Sequence, residues 1–253
     1  MKLLFQHNIA MLLTALLISI PLVESNAADG FNKAQRIEIN KIVQSFIMEN
    51  PQVILDAVQH MQAKAKEGKK ALIKKNLITS REKLINDPNS PTSGNPKGDV
   101  TIVEFFDYRC GYCKRVLPTM LKAVKEDGNV RIVYKELPIL GAESVVASRA
   151  SLAAWRLAPK KYEAFHTTLM ANKGHFSELK IRSIASDLSI DGNALIEGMK
   201  SSDIDSILNE NHALAQSLGI SGTPAFIIGE ELVPGAVDMN TLKRMIKKAR
   251  DIN

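Results

Sequence analysis

The chain contains two cysteines, and both stand in one tetrapeptide, Cys110-Gly111-Tyr112-Cys113. This removes several ways of building a fold. A cross-linked framework needs more cysteines than exist here, and so does a four-cysteine zinc site. The chain must be held by an ordinary hydrophobic core. Its 253 residues, 45% hydrophobic and 24% charged, suffice for one. Half a zinc site would need two further ligands. The histidines are His7, His60, His166, His175 and His212, and no two form a tight pair. Each reads as a packed or surface residue, so no metal and no other cofactor is expected.

The position of the pair carries the chemistry. Val100-Thr101-Ile102-Val103-Glu104-Phe105-Phe106 reads as a buried strand. Residues 110–125 follow with helical character, and Val130 to Lys135 form a second strand. Strand, helix and strand in this length predict a right-handed crossover with a parallel pair. A helix start presents unpaired N–H groups and the positive end of the helix dipole, which favour an anion. Cys110 is therefore expected to be the attacking sulfur. Cys113, one turn later, is the more buried, resolving one. The chemistry is thiol–disulfide exchange through a mixed disulfide. Lys114 and Arg115 follow directly, with side chains expected to turn to solvent.

Around this centre the chain divides. Residues 1–27 read as a secretory signal, with Lys2 leading, an apolar run Ile9 to Ile20, Pro21, and a cleavage site at Ser25-Asn26-Ala27. The run is roughly 12 residues, short of the ~20 a span needs. Residues 28–87 form an N-terminal helical arm. Its stripe comprises Ile39, Ile42, Val43, Phe46 and Ile47, then, after Asn50-Pro51, Val53, Ile54, Ala57, Val58 and Met61. Periodicity weakens through Ile73, Leu77 and Leu84. Such a stripe must be covered, by the following domain or by the same arm of another subunit. Residues 88–98, rich in Pro and Gly, read as a linker, with the domain boundary here. Residues 99–253 form the second domain. Within it, about 144–218 is mainly helical, with Ala194 to Leu218 as its last stretch. Ala225 to Ile228 is a strand with an antiparallel partner beginning at Leu232, and Asp238 caps a final helix.

The formal net charge of +6 is uneven. Lys64, Lys66, Lys69, Lys70, Lys74, Lys75, Arg81 and Lys83 are opposed only by Glu67 and Glu82. Without interleaved aromatics this run reads as a solvated helix face, and no nucleic-acid partner is expected.

Three separated motifs resemble the DsbA-like branch of the thioredoxin superfamily. They are Glu104-Phe-Phe…Cys110-x-x-Cys113, the loop Gly222-Thr223-Pro224-Ala225-Phe226, and the helical run Lys161-Tyr-Glu-Ala-Phe-His166. The likeness covers about residues 99–249. It implies an α/β, thioredoxin-like fold with a helical insertion, here preceded by the N-terminal helical arm. It implies a cis Thr223–Pro224 bond facing the cysteines, which keeps metals away and offers backbone groups to a substrate strand. It also implies that Glu104 is a buried carboxyl relaying a proton for Cys113. Lys135, on the neighbouring strand, is the expected partner of Glu104. Phe105 and Phe106 are expected in the core, and Tyr108 and Tyr112 at the surface.

The implied function is disulfide formation in exported proteins of the periplasm, with unfolded or misoxidised substrates and a membrane redox partner. The direction is less fixed. Gly111-Tyr112 is not the Pro-His of the prototype oxidase, and equals the dipeptide of the bacterial disulfide isomerase DsbC, whose loop Ser221-Gly-Thr-Pro-Ala also resembles. An oligomeric isomerase, assembled through the N-terminal helices, is therefore an alternative. A non-enzymatic exported binding protein or redox chaperone is a second.

Overall fold

The computed structural model describes residues 30–252, so the signal expected at 1–27 lies outside the described residues. The chain divides into two compact units, Met1–Met61 and Gln62–Asn253.

In the first unit, α1 (Lys33–Glu49) opens with a capping box. The Asn32 side chain accepts from the Gln35 N–H, and Gln35 Oε1 accepts from the Asn32 N–H, both at 2.9 Å. Asn50 closes it, its N–H donating to Phe46 O at 2.9 Å. α2 (Gln52–Thr79) starts directly after Pro51, the punctuation expected of Asn-Pro. No residue of α1 is buried. Ile42, Phe46 and Met48, with Leu55 and Met61 of α2, are each more than half exposed.

The second unit begins with the remainder of α2. It continues through α3 (Arg81–Ile85), β1 (Thr92–Gly94), β2 (Val100–Phe106), α4 (Gly111–Asp127) and β3 (Val130–Glu136). A helical block follows: α5 (Ala142–Leu157), a 3₁₀ turn (Pro159–Lys161), α6 (Tyr162–Ala171), α7 (Glu178–Asp187), α8 (Gly192–Gly198) and α9 (Ser202–Ser217). β4 (Ala225–Ile228), β5 (Glu231–Pro234) and α10 (Met239–Ile252) end the chain. Asp238 caps α10, its Oδ1 accepting from the Thr241 N–H at 2.7 Å. Among the described residues no helix is long and apolar enough to cross a membrane.

The five strands form one sheet in the order β1-β3-β2-β4-β5, with β2 and β3 parallel and the other pairs antiparallel. β2 is central, and its alternation sorts the core. Ile102 and Phe106 face one large cluster with Ile132, Tyr134 and Phe226, packed on Val116, Leu117 and Met120 of α4 and Leu242 and Ile246 of α10. Val103 and Phe105 face a second cluster with Val133, Ile227, Leu214 and Leu218. That cluster also buries Leu77 of α2 and Leu84 of α3.

These burials move the expected domain boundary. The division falls between Met61 and Gln62 rather than at residue 87, because Leu77 and Leu84 belong to the core of the second unit. The segment read as a linker carries β1, which pairs antiparallel with β3. Its prolines are compatible because an edge strand needs hydrogen bonds on one side only. Pro91 contributes its carbonyl, accepting from the Tyr134 N–H at 2.9 Å. Gly94 is required where it stands: its φ is +74°, and a Cβ there would lie 2.5 Å from Val130 O. The helix expected from Ala194 to Leu218 is broken into α8 and α9. Arg149 reaches the break, donating to Met199 O at 2.6 Å and Ser201 O at 3.1 Å, so the interruption leaves these carbonyls satisfied.

Lys135 ties the former linker to the sheet. Its side chain is 1% exposed, and its ammonium donates to Asp87 Oδ2 at 2.7 Å. Burial depresses the lysine. Burial alone would raise the Asp87 carboxyl, but hydrogen bonds from Lys135, Ser90 and the Asn89 N–H hold it below its usual range. Asp87→Ala strands a buried cation and should lower the unfolding free energy by about 2 kcal/mol. Lys135→Met, which removes the cation instead, should lose less than half as much. Urea unfolding of the two variants checks the asymmetry, and equal losses would contradict it.

Candidate active site

Three backbone N–H groups hold the turn that leaves β2. The Asp107 carboxylate accepts from Arg109 N at 2.7 Å, Ile139 N at 2.8 Å and Leu140 N at 3.0 Å. It thereby clamps the ends of two adjacent strands together. The Asp107 carbonyl in turn accepts from the Cys110 N–H at 3.0 Å. Cys110 is delivered as the N-cap of α4, in extended conformation (φ −71°, ψ 113°). Its sulfur accepts from the Cys113 N–H at 3.5 Å, as expected of an anion-favouring helix start. Both thiols are free.

The loop before β4 closes on the same sulfur. Thr223–Pro224 is cis, and Cys110 Sγ–H donates to Thr223 O at 3.1 Å. Residues 113 positions apart in sequence thus meet at one atom.

Cys113 has no exposed surface. Burial first, and the Glu104 charge second, push its thiol well above the ordinary range. Glu104 is likewise fully buried, and neither carboxyl oxygen has a hydrogen-bond partner. Burial, reinforced by Cys110, raises it to about 8, so at neutral pH the carboxyl is predominantly protonated.

The expected Glu104–Lys135 pair does not form. Glu104 is opposite Tyr134 in the parallel register, whereas Lys135 is opposite Phe105. With a side-chain period of two, Lys135 and Glu104 fall on opposite faces of the sheet. Lys135 turns to Asp87 instead.

Two surface expectations are also corrected. Tyr108 is fully buried, its hydroxyl 2.7 Å from Ser151 Oγ and 2.8 Å from His166 Nδ1. Lys114 folds back to donate to Asn172 O and lies 5.8 Å from the Phe176 ring centroid. Burial first, then Arg109, depress its ammonium. Tyr112 is exposed, and the Arg115 guanidinium stacks 4.4 Å over its ring.

One buried cluster beside the site is absent from the sequence reading. Glu136 ends β3 and accepts from Ser148 Oγ at 2.7 Å, with Tyr108 Oη 3.4 Å away. Burial raises its carboxyl to about 8 and lowers His166 to about 3, so both are neutral at pH 7. The signal was the one that betrayed Glu104, an acid within an apolar strand.

The arrangement can carry dithiol chemistry: a presented sulfur, a buried second sulfur, and an unpartnered carboxyl able to exchange a proton. Residues 101–247 match the DSBA-like thioredoxin domain family. The chain is 24% identical over 168 residues to disulfide bond formation protein D of Bacillus subtilis, covering 62% of this chain and 76% of that protein. It is 44% identical to a thioredoxin-like oxidoreductase of Silicibacter pomeroyi, with a TM-score of 0.64, covering 68% of this chain and 98% of that one. A linker-deletion form of Proteus mirabilis ScsC is 30% identical, with a TM-score of 0.67, covering 89% and 99%. Matched by the family over most of the second unit, the chain belongs to the DSBA-like thioredoxin domain family of thiol–disulfide oxidoreductases.

Proposed function

We propose that this protein introduces disulfides into exported proteins, in the periplasm, by exchange at Cys110 and Cys113. The observation that carries the reading is the contrast between the sulfurs: Cys110 caps a helix start and touches the Thr223 carbonyl, while Cys113 is sealed beneath it. In the oxidised enzyme, a substrate thiolate attacks Cys110 Sγ. The Cys110–Cys113 bond breaks, and its electron pair leaves on Cys113. The Glu104 carboxyl supplies the proton that neutralises this sulfur. A second substrate thiolate then attacks the mixed disulfide. The substrate leaves oxidised and the enzyme holds two thiols, which a membrane redox partner reoxidises. Thr223 and cis Pro224 border the reacting sulfur and present backbone to the substrate. Lys135 acts through Asp87 on the sheet and takes no part in proton transfer.

Donation requires a reduced form more stable than that of an ordinary dithiol, because that makes the disulfide a strong oxidant. In the reduced form the Cys110 sulfur accepts from the Cys113 N–H at the start of α4, a backbone contact that supports this state.

One observation favours a second reading. The stripe on α1 and the start of α2 leaves Ile42, Phe46 and Met61 largely exposed, an apolar face suited to joining copies of this chain. An assembly presenting several sites would suit reshuffling of wrong disulfides, in which Cys110 attacks first. Equilibration with glutathione, paired with light scattering, separates the two. A strongly oxidising potential in a monomer supports donation. A less oxidising potential in an oligomer that dissociates when residues before Gln62 are removed supports the isomerase.

A further inference from the structure

A groove of about 1050 Å³ opens beside the cysteine pair. One end is formed by Tyr112 and the cis-proline loop. Its floor is apolar, with Ile73, Leu77, Ile220 and Leu232. The C-terminal part of α2 lines it, together with Thr223 and Pro224, which brings part of the basic run to the active-site side of the second unit.

This part of α2 is fixed in place. Leu77 is buried in the second core cluster, and Asn76 Nδ2 donates to Ser217 O at 2.5 Å. The helix also packs closely on the loop: a Cβ at Gly219 would lie 3.6 Å from Ile73 Cδ1 and 3.7 Å from Lys69 Cε.

The charges along the groove do not cancel. Glu230 pairs with Lys74 at 3.5 Å, and Glu231 pairs with Lys248. Both acids on the rim are thereby neutralised. Lys69 and Lys70 line the same groove, are exposed, and have no acidic partner among the described residues. A groove of this size exceeds the usual small-molecule range of about 300–1,000 Å³. An extended polypeptide fits it better, its main chain meeting the loop and its side chains the floor.

We propose that Lys69 and Lys70 are specificity-determining residues, and that the groove selects substrate segments carrying Asp or Glu close to their reactive cysteine. The proposal rests on the exchange reaction described above and names the substrate class that reaction prefers. The reach follows from the chain: Thr223 touches the Cys110 sulfur, a Cβ at Gly219 would meet Lys69, and the four Cα–Cα steps from Gly219 to Thr223 span at most about 14 Å. The acid therefore lies within about four residues of the cysteine. Association with such segments is also faster at low salt.

The test uses two dithiol peptides, identical except that one has Glu and the other Gln about three residues from cysteine. The purified oxidised protein should oxidise the Glu peptide with a kcat/KM about three- to tenfold higher. The preference should collapse in 0.5 M salt, roughly the range where exposed charges are screened. The variant K69E/K70E should lose or invert it, because its loss falls on the Glu peptide far more than on the Gln peptide. Equal rates for both peptides in the unaltered protein overturn the groove proposal and leave the exchange reaction standing. So does an equal drop for both peptides in K69E/K70E. A changed sedimentation coefficient in that variant also overturns it, by making the groove a contact between copies. Failure to oxidise either peptide, or to exchange with glutathione, overturns the underlying reaction and the proposal with it.

Discussion

Cys110→Ser is expected to abolish disulfide donation, lowering the rate by at least about three orders of magnitude, because no other thiol is presented to substrate. Cys113→Ser should fail differently. Its Cys110 can still attack a disulfide, but no second sulfur resolves the product, so substrate accumulates as a mixed disulfide on Cys110. Non-reducing electrophoresis and mass spectrometry of the trapped adduct read this directly. The asymmetry follows from the structure: Cys110 reaches the Thr223 carbonyl at the groove, whereas Cys113 has no exposed surface. Adducts on both single variants in equal yield would mean that either sulfur can be attacked, and the assignment of roles would fall. Removing both sulfurs also isolates the non-enzymatic alternative, since a pure binding protein should keep its holdase activity without them.

The parts of this molecule legible in the sequence are those where local pattern and tertiary need coincide. The run Val100 to Phe106 could only be a buried strand, and a cysteine immediately before an amphipathic helix could only sit at its start. Asn50-Pro51 and Asp238 punctuate helices through local chemistry alone. What escaped the sequence depends on register and on distant contacts. Lys135 seemed a partner for Glu104 because it lay on the next strand. One residue of register sends it to the opposite face. Segment 88–98 has the composition of a linker, yet β3 recruits three of its residues as an edge strand. The basic run on α2 looks like an ordinary solvated face until Leu77 is seen pinned in the core, which turns Lys69 and Lys70 toward the groove. Tyr108 is polar in composition and adjacent to an exposed arginine, and only the helical block supplies the Ser151 and His166 that allow its burial.

Glu104→Gln should make the protein more stable and slower, and the gain in stability should depend on pH with a definite sign. The folded carboxyl titrates near 8, against 4.5 when unfolded. Between these values the folded chain holds a proton that the unfolded chain has released, so unfolding becomes easier as pH rises through this window. The loss attributable to this one group is on the order of 3 kcal/mol between about pH 5 and pH 8. Glutamine does not ionise and removes that slope. Glu136 titrates in the same range, but it is present in both proteins and drops out of the comparison. Thermal unfolding should therefore show the variant gaining on the unaltered protein steadily from pH 5 to pH 8. Parallel curves would mean that Glu104 does not hold its proton in the folded state. The kinetic consequence has the same origin. A protonated carboxyl beside Cys113 is the acid its departing sulfur needs, and amide substitution should slow exchange by about 10²-fold. The variant's rate profile should also lose any limb with an apparent pKa near 8. A merely structural role would leave that limb in place, because packing carries no proton, whereas a buried carboxyl that gives its proton to the Cys113 sulfur takes the limb with it when it is replaced.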